Sequence, residues 1–105
     1  MATRFDLQAT LARHVGKERG VTAQALATML GCTARAVRHL VTELREEGVA
    51  VCGHPATGYF VAANQAELDE TCAFLRARAM HSLSLEAKLN RIPLPELLGQ
   101  LKLPT

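Results

Sequence analysis

The sequence predicts a mainly α-helical domain with one small β-hairpin and a long C-terminal helix. Three observations carry this. Leucines and valines recur every three or four residues in separate stretches, the spacing of one face of a helix. Glycines stand just past two of those stretches, where helices end. A turn-rich run, Gly53-His54-Pro55-Ala56-Thr57-Gly58, separates two short β-like runs, Val49-Ala50-Val51 and Tyr59-Phe60-Val61.

The elements follow in order. Asp6 is an N-cap candidate, and Leu7, Leu11 and Val15 recur at i+4, giving a first helix from about Asp6 to Val15. Gly16 to Gly20 breaks it. Thr22 caps a second helix, with Val21 and Leu26 in hydrophobic-staple spacing across its start. Leu26, Ala27 and Leu30 form its inner face, and Gly31 ends it. Thr33 caps a third helix, with Cys32 and Val37 as a second staple. Its inner stripe is Val37, Leu40, Val41 and Leu44, and Gly48 stops it after Glu47. Asn64 caps a fourth helix, with Glu67 in capping-box spacing. Leu68, Cys72, Leu75 and Ala79 recur along it, with a bend expected near Ser82 to Ser84 and an end near Asn90. Pro93 and Pro95 flank a joint before a short amphipathic piece, Glu96 to Leu101.

Helices two and three are joined by about three residues beginning with glycine, the spacing of a helix-turn-helix. A small residue, Ala27, stands four before the turn glycine, where the next helix must approach closely. Val37 and Leu40 stand six and nine after it, where they plug the corner. A plain helical corner needs amphipathicity but not this ladder. A hairpin directly after the third helix makes a wing. Residues 1–63 are then a winged helix-turn-helix domain. Residues 64–105 are a helical extension of the same compact unit.

Composition narrows the function classes. The chain has 105 residues, 49% hydrophobic and 21% charged, enough for one small core. Twelve Lys and Arg against ten Asp and Glu give +2, which excludes an acidic tail, a polybasic arm and a charge-rich disordered chain. No apolar run reaches the ~18 residues of a membrane span and MATRFDLQAT has no signal-peptide core, so a cytoplasmic location is expected. Cys32, Cys52 and Cys72 lack a Cys-x-x-Cys spacing and read as small buried hydrophobes in a reducing compartment. His14, His39, His54 and His81 are scattered. No Ser/His/Asp set, acid pair, phosphate loop or metal cluster is legible, so neither enzyme, cofactor nor metal is expected. Cys52-x-His54 alone is a poor metal signal.

Gly20 to Ala62 resembles the N-terminal DNA-binding domain of the biotin operon repressor family. TARAVRHLVTELREEGV and a hairpin ending in GYFV carry the likeness. GYFVA followed by a helix holding LRARA is similar to small prophage-encoded winged-helix proteins. The resemblance implies DNA binding. It implies no ligase activity, because no biotinyl-adenylate segment is present.

In such a fold the second helix of the motif enters the major groove. With Val37, Leu40, Val41 and Leu44 inward, Thr33, Ala34, Arg35, Arg38, His39 and Thr42 point outward. Arg35 and Arg38 share a face, and a guanidinium fork matches guanine O6 and N7. Thr33 and Ala34 suit a thymine methyl or a phosphate, and His39 a base edge or a phosphate. Thr22 and Gln24 open the preceding helix, where backbone N–H groups meet phosphates. Arg45 is a candidate backbone contact, and Arg13, Lys17 and Arg19 add long-range attraction. His54 at the wing tip is either a DNA contact or a solvated turn residue. The wing has no Lys or Arg.

These features give the expectation of a sequence-specific double-stranded DNA-binding protein, a prophage-type transcriptional regulator acting as a homodimer. The stripe Leu68, Cys72, Leu75 and Ala79 is either the dimer seam or packed on the domain's own core. The alternative is an adaptor or phage replication accessory that holds a protein. Gln100-Leu101-Lys102-Leu103 resembles the Gln-Leu-x-Leu core of sliding-clamp peptides, although Pro104 replaces the usual aromatic residue; the competing reading is a short helix packed on the domain.

Overall fold

Helix α1 spans Arg4–Leu11 and opens on a capping box. Thr3 Oγ1 accepts from Asp6 N–H at 3.3 Å, and Asp6 Oδ2 accepts from Thr3 N–H at 2.8 Å. The cap is therefore Thr3, and Asp6 lies inside the helix as its reciprocal partner. These contacts belong to a computed structural model that describes residues 1–102. Val15 is not helical, contrary to expectation. It bridges Val61 of the hairpin, because α1 ends at Leu11 and the chain turns toward the sheet.

Helix α2 spans Ala23–Leu30 and α3 spans Ala34–Glu46. Both start on threonine caps: Thr22 Oγ1 accepts from Ala25 N–H and Thr33 Oγ1 from Ala36 N–H. Both end the same way. Gly31 and Gly48 adopt left-handed φ of 66° and 83°. Cys32 N–H then reaches Ala27 O, and Val49 N–H reaches Leu44 O, each at 3.0 Å. These closures satisfy carbonyls that a helix end leaves open.

The chain forms two units, Met1–Thr71 and Cys72–Thr105. In the first, Leu7 and Leu11 of α1, Leu26 and Ala27 of α2, and Val37, Leu40, Val41 and Leu44 of α3 share one core with Val21 and Val51. All four predicted inner residues of α3 are buried.

Strands β1 (Val51–His54) and β2 (Gly58–Val61) pair antiparallel, Val51 opposite Val61 and His54 opposite Gly58. The sequence placed the first run two residues earlier, at Val49. Val49 instead closes the α3 end, which postpones the strand. The free edge of β2 is covered by residues 14–21. Val61 N–H donates to His14 O, and Val21 and Tyr59 exchange backbone bonds of 2.8 and 2.7 Å. The unpaired edge that a two-stranded sheet would expose is thus satisfied within the chain. Gly58, at φ 88°, lies so close that a Cβ built on it would overlap the Val21 carbonyl. A Cβ on Gly20 would likewise meet the Thr57 carbonyl.

Helix α4 runs unbroken over Gln65–Leu89, so the expected bend at Ser82 to Ser84 is absent. Serines in a helix interior weaken it only slightly and do not remove a backbone donor. Within the first unit, the start of α4 is tied to residues before the motif. Asn64 Oδ1 accepts from Glu67 N–H at 2.9 Å. The Glu67 carboxylate accepts from Ala63 N–H and from Lys17 N–H, both at 2.9 Å. Lys17 Nζ pairs with Glu70 at 3.0 Å. The thiol of Cys52, fully buried, donates to Glu67 O at 3.7 Å, and Gly53 N–H donates to Thr71 Oγ1.

In the second unit, α4 ends at Leu89 with Arg91 at φ 57° and Ile92 N–H bonded to Ala87 O at 3.0 Å. This repeats the closure of α2 and α3 with arginine in glycine's place. Helix α5 spans Leu94–Gln100, with Pro93 at its cap and Leu97 and Leu98 buried. Cys72 is exposed and Cys32 half-buried, so only Cys52 behaves as the buried hydrophobe expected of all three. Of the tail motif, Gln100 ends α5, whereas Leu103 and the following Pro104 lie outside the described residues.

Two outcomes test this frame. Gly31→Ala meets nothing within 4 Å and carries only the left-handed backbone penalty, about 1–2 kcal/mol. Gly58→Ala adds a backbone overlap and costs at least ~1 kcal/mol more. Urea unfolding of both variants checks the ranking, and equal losses contradict it. Separately, the backbone bond from Ala63, then that from Lys17, and the Lys17 charge hold the Glu67 carboxyl below its ordinary value of 4.5, against opposing desolvation. A carboxyl depressed in the folded state adds stability that is complete above 4.5 and disappears as pH falls through the folded value. Acid unfolding of Glu67→Gln should therefore lose this share of the pH dependence. Superimposable acid transitions would contradict the assignment.

Candidate nucleic-acid interface

The candidate surface is built by the corner between α2 and α3. Gly31 and Cys32 reverse the chain, and Thr33 starts α3 without a further linker. At 100° per residue, Arg35, His39, Thr42 and Glu46 fall within an arc of about 60°, opposite the buried Val37, Leu40, Val41 and Leu44. Arg38 flanks that arc on the side of Thr42.

Arg35, Arg38, His39 and Thr42 are all exposed. Among the described residues, neither the Arg35 nor the Arg38 guanidinium has a hydrogen-bond or ion-pair partner. Both forks are open to a ligand. Thr42 Oγ1 donates back to Arg38 O at 3.2 Å. His39 Nε2 lies 3.7 Å from Glu43 Oε1.

The caps already use the hydroxyls of Thr22 and Thr33, so these side chains offer their methyl groups and remaining lone pairs. Ala34 is half-buried and Gln24 is exposed in the first turn of α2. No acidic residue stands in the first turn of α2 or of α3. The positive ends of both helix dipoles are therefore uncompensated, which favours an anion there.

Two of the residues singled out by the sequence, Arg45 and His54, also make contacts inside the chain. Arg45 Nε donates to Val51 O at 2.9 Å and its guanidinium lies against Gly53, so it pins β1 to the end of α3. His54 Nδ1 accepts from Ala56 N–H, and Nε2 sits 3.5 Å from Glu70 Oε1. Its side chain is held at the turn rather than projecting from a tip. Lys17, similarly, is held by Glu70, while Arg13 and Arg19 remain exposed.

Three residues at the end of α3, one of them its C-cap, were not singled out by the sequence. Glu43, Glu46 and Glu47 close the same helix that opens with Arg35 and Arg38. The outward face is thus polar along its length, positive for its first two turns and acidic at its end. Such a charge distribution attracts a polyanion to the N-terminal turns and repels it from the last one. The signal was in the sequence, since the acids follow residues of the inward stripe by two or three positions.

The overall arrangement is a helix-turn-helix followed by a two-stranded wing. The profile of a family described as an HTH domain matches residues 8–60, which include the second half of α1, both motif helices, β1 and most of β2. No curated protein and no solved structure matches the chain. The matched span covers half the chain and coincides with the corner that presents Arg35 and Arg38, and the chain belongs to this family of DNA-binding helix-turn-helix domains.

Proposed function

We propose that the protein is a sequence-specific double-stranded DNA-binding regulator of transcription, of the prophage type, acting in the cytoplasm without catalysis. The single observation that supports this reading is the pair of unpartnered guanidinium groups on the outward N-terminal turns of α3. Entering the major groove end-on, that face presents Arg35 and Arg38 to base edges, where a fork spans guanine O6 and N7. His39 and Thr42 reach the next bases, and Thr33 and Ala34 meet the near strand. The N–H groups opening α2, with Thr22 and Gln24, receive a phosphate.

The wing contributes little electrostatic grip. It lacks Lys and Arg, and His54 is engaged with the turn and Glu70. A net charge of +2 also limits the phosphate contacts. One chain neutralises ~3–4 phosphates, and one module of this size buries ~600–1,000 Å² on DNA. Tight binding then calls for two copies on a two-fold site, which makes the functional form a homodimer through Leu68, Cys72, Leu75 and Ala79.

Sites selected from random duplex DNA should be palindromic. On such a site Arg38→Ala should weaken binding by about 1–3 kcal/mol and relax preference at one base pair. Affinity against salt should fall with a log–log slope of about −3 per bound chain. Unchanged affinity of the variant overturns the assigned face. Failure to retain any duplex at low salt overturns DNA binding itself and favours the adaptor reading.

A further inference from the structure

Helix α4 carries an apolar stripe on which Cys72, Leu75 and Ala79 are exposed and Leu68 is half-buried. Every residue from Cys72 to Ala79 is exposed, and Leu75 keeps 44% of its surface. A helix of 25 residues is about 37 Å long, and one that shows leucine to water along its middle normally has a partner. Gln65, Leu68, Cys72, Leu75, Ala79 and Ser82 recur at spacings of three, four, three, four and three. These are the a and d positions of a heptad pattern, the seam of paired helices.

We infer that two copies of this chain pair through α4 in antiparallel orientation, with Asp69 of each copy facing Arg76 of the other. The inference rests on the homodimer reading above and gives it a surface and a direction.

Two independent features select the direction. The first is volume. Antiparallel helices set Cys72 against Leu75 of the second copy, Leu68 against Ala79 and Gln65 against Ser82. Each layer then joins one larger side chain to one smaller, so the layers have similar width. Parallel helices would stack leucine on leucine and alanine on alanine, alternating bulges with gaps that close packing penalises.

The second is charge. Asp69 and Arg76 both follow d positions by one, on the same flank of the seam. In the antiparallel arrangement that flank meets itself, and the two-fold axis brings Asp69 to Arg76 twice. In the parallel arrangement Arg76 instead meets Thr71, and Arg78 meets Leu83, so no opposite charges pair. Both Asp69 and Arg76 are exposed, and among the described residues neither forms an ion pair. Gln65 Nε2 donates to Asp69 Oδ1 at 2.8 Å, holding the carboxylate on this flank.

Charge exchange tests the inference with the full chain. Sedimentation equilibrium over a wide concentration series should show a reversible dimer. Asp69→Arg and Arg76→Asp should each raise its dissociation constant roughly tenfold, since two symmetric pairs turn repulsive. The Asp69→Arg/Arg76→Asp double variant should return close to the native constant, because reversed charges attract again. Leu75→Glu should abolish the dimer, with circular dichroism showing an unchanged helix content. A native chain that stays monomeric, a dimer indifferent to both single reversals, or a double variant no better than the singles overturns the inference. Retention on duplex DNA at low salt is measured alongside. A native chain that binds DNA but remains monomeric defeats the pairing and leaves the reading of α3 intact.

Discussion

The left-handed backbone of Gly31 is the constraint from which the geometry of the outward α3 face follows. It turns the chain out of α2 while Cys32 N–H closes the helix on Ala27 O, and Thr33 begins α3 two residues later. With so short a turn the two helices have little freedom of approach. Ala27, almost fully buried, leaves room for that approach, and Val37 and Leu40 fill the corner from the other side. Rotation of α3 is therefore fixed from within. Whatever lies opposite Val37, Leu40, Val41 and Leu44 must face outward, and at the start of the helix that is arginine.

The remainder of the first unit steadies this corner. Arg45 takes a β1 carbonyl, β2 is backed by residues 14–21, and Glu67 gathers two backbone N–H groups from before α4. Charge is divided accordingly. Cations near the wing and its approach, Lys17 and Arg45, are consumed by internal bonds, whereas Arg35 and Arg38 are left without partners. Leaving a guanidinium unpaired on a surface costs little in water, so the fold can hold such groups ready for a ligand at small expense. A low net charge is compatible with DNA binding when the free cations are concentrated in this way.

Much of this was readable from the chain because it is local. The caps Thr22 and Thr33, the stops Gly31 and Gly48, and the inner stripe of α3 are decided within a few residues, and they stand where the spacing put them. Misreadings arose where two local devices compete or where the partner is distant. Asp6 is a good cap type, but Thr3 three residues earlier makes a reciprocal box with it. Val15 fits the α1 period yet bridges the sheet. The Arg45 bond to a strand carbonyl was not foreseen, because that partner lies beyond a glycine turn. His54 is held in part by a carboxylate sixteen residues away, which no periodicity reveals. Cysteine's usual burial misled at Cys72, which lies on a helix stretch, residues 72–79, where every residue is exposed.

A two-dimensional amide spectrum of the labelled protein, titrated with short duplex DNA at low salt, tests the central claim most directly. The account predicts that shifts concentrate at the start of α2 and on Thr33 to Thr42, with the wing turn and α4 little changed. Shifts confined to the wing or α4, or none while the duplex is in excess, would contradict it.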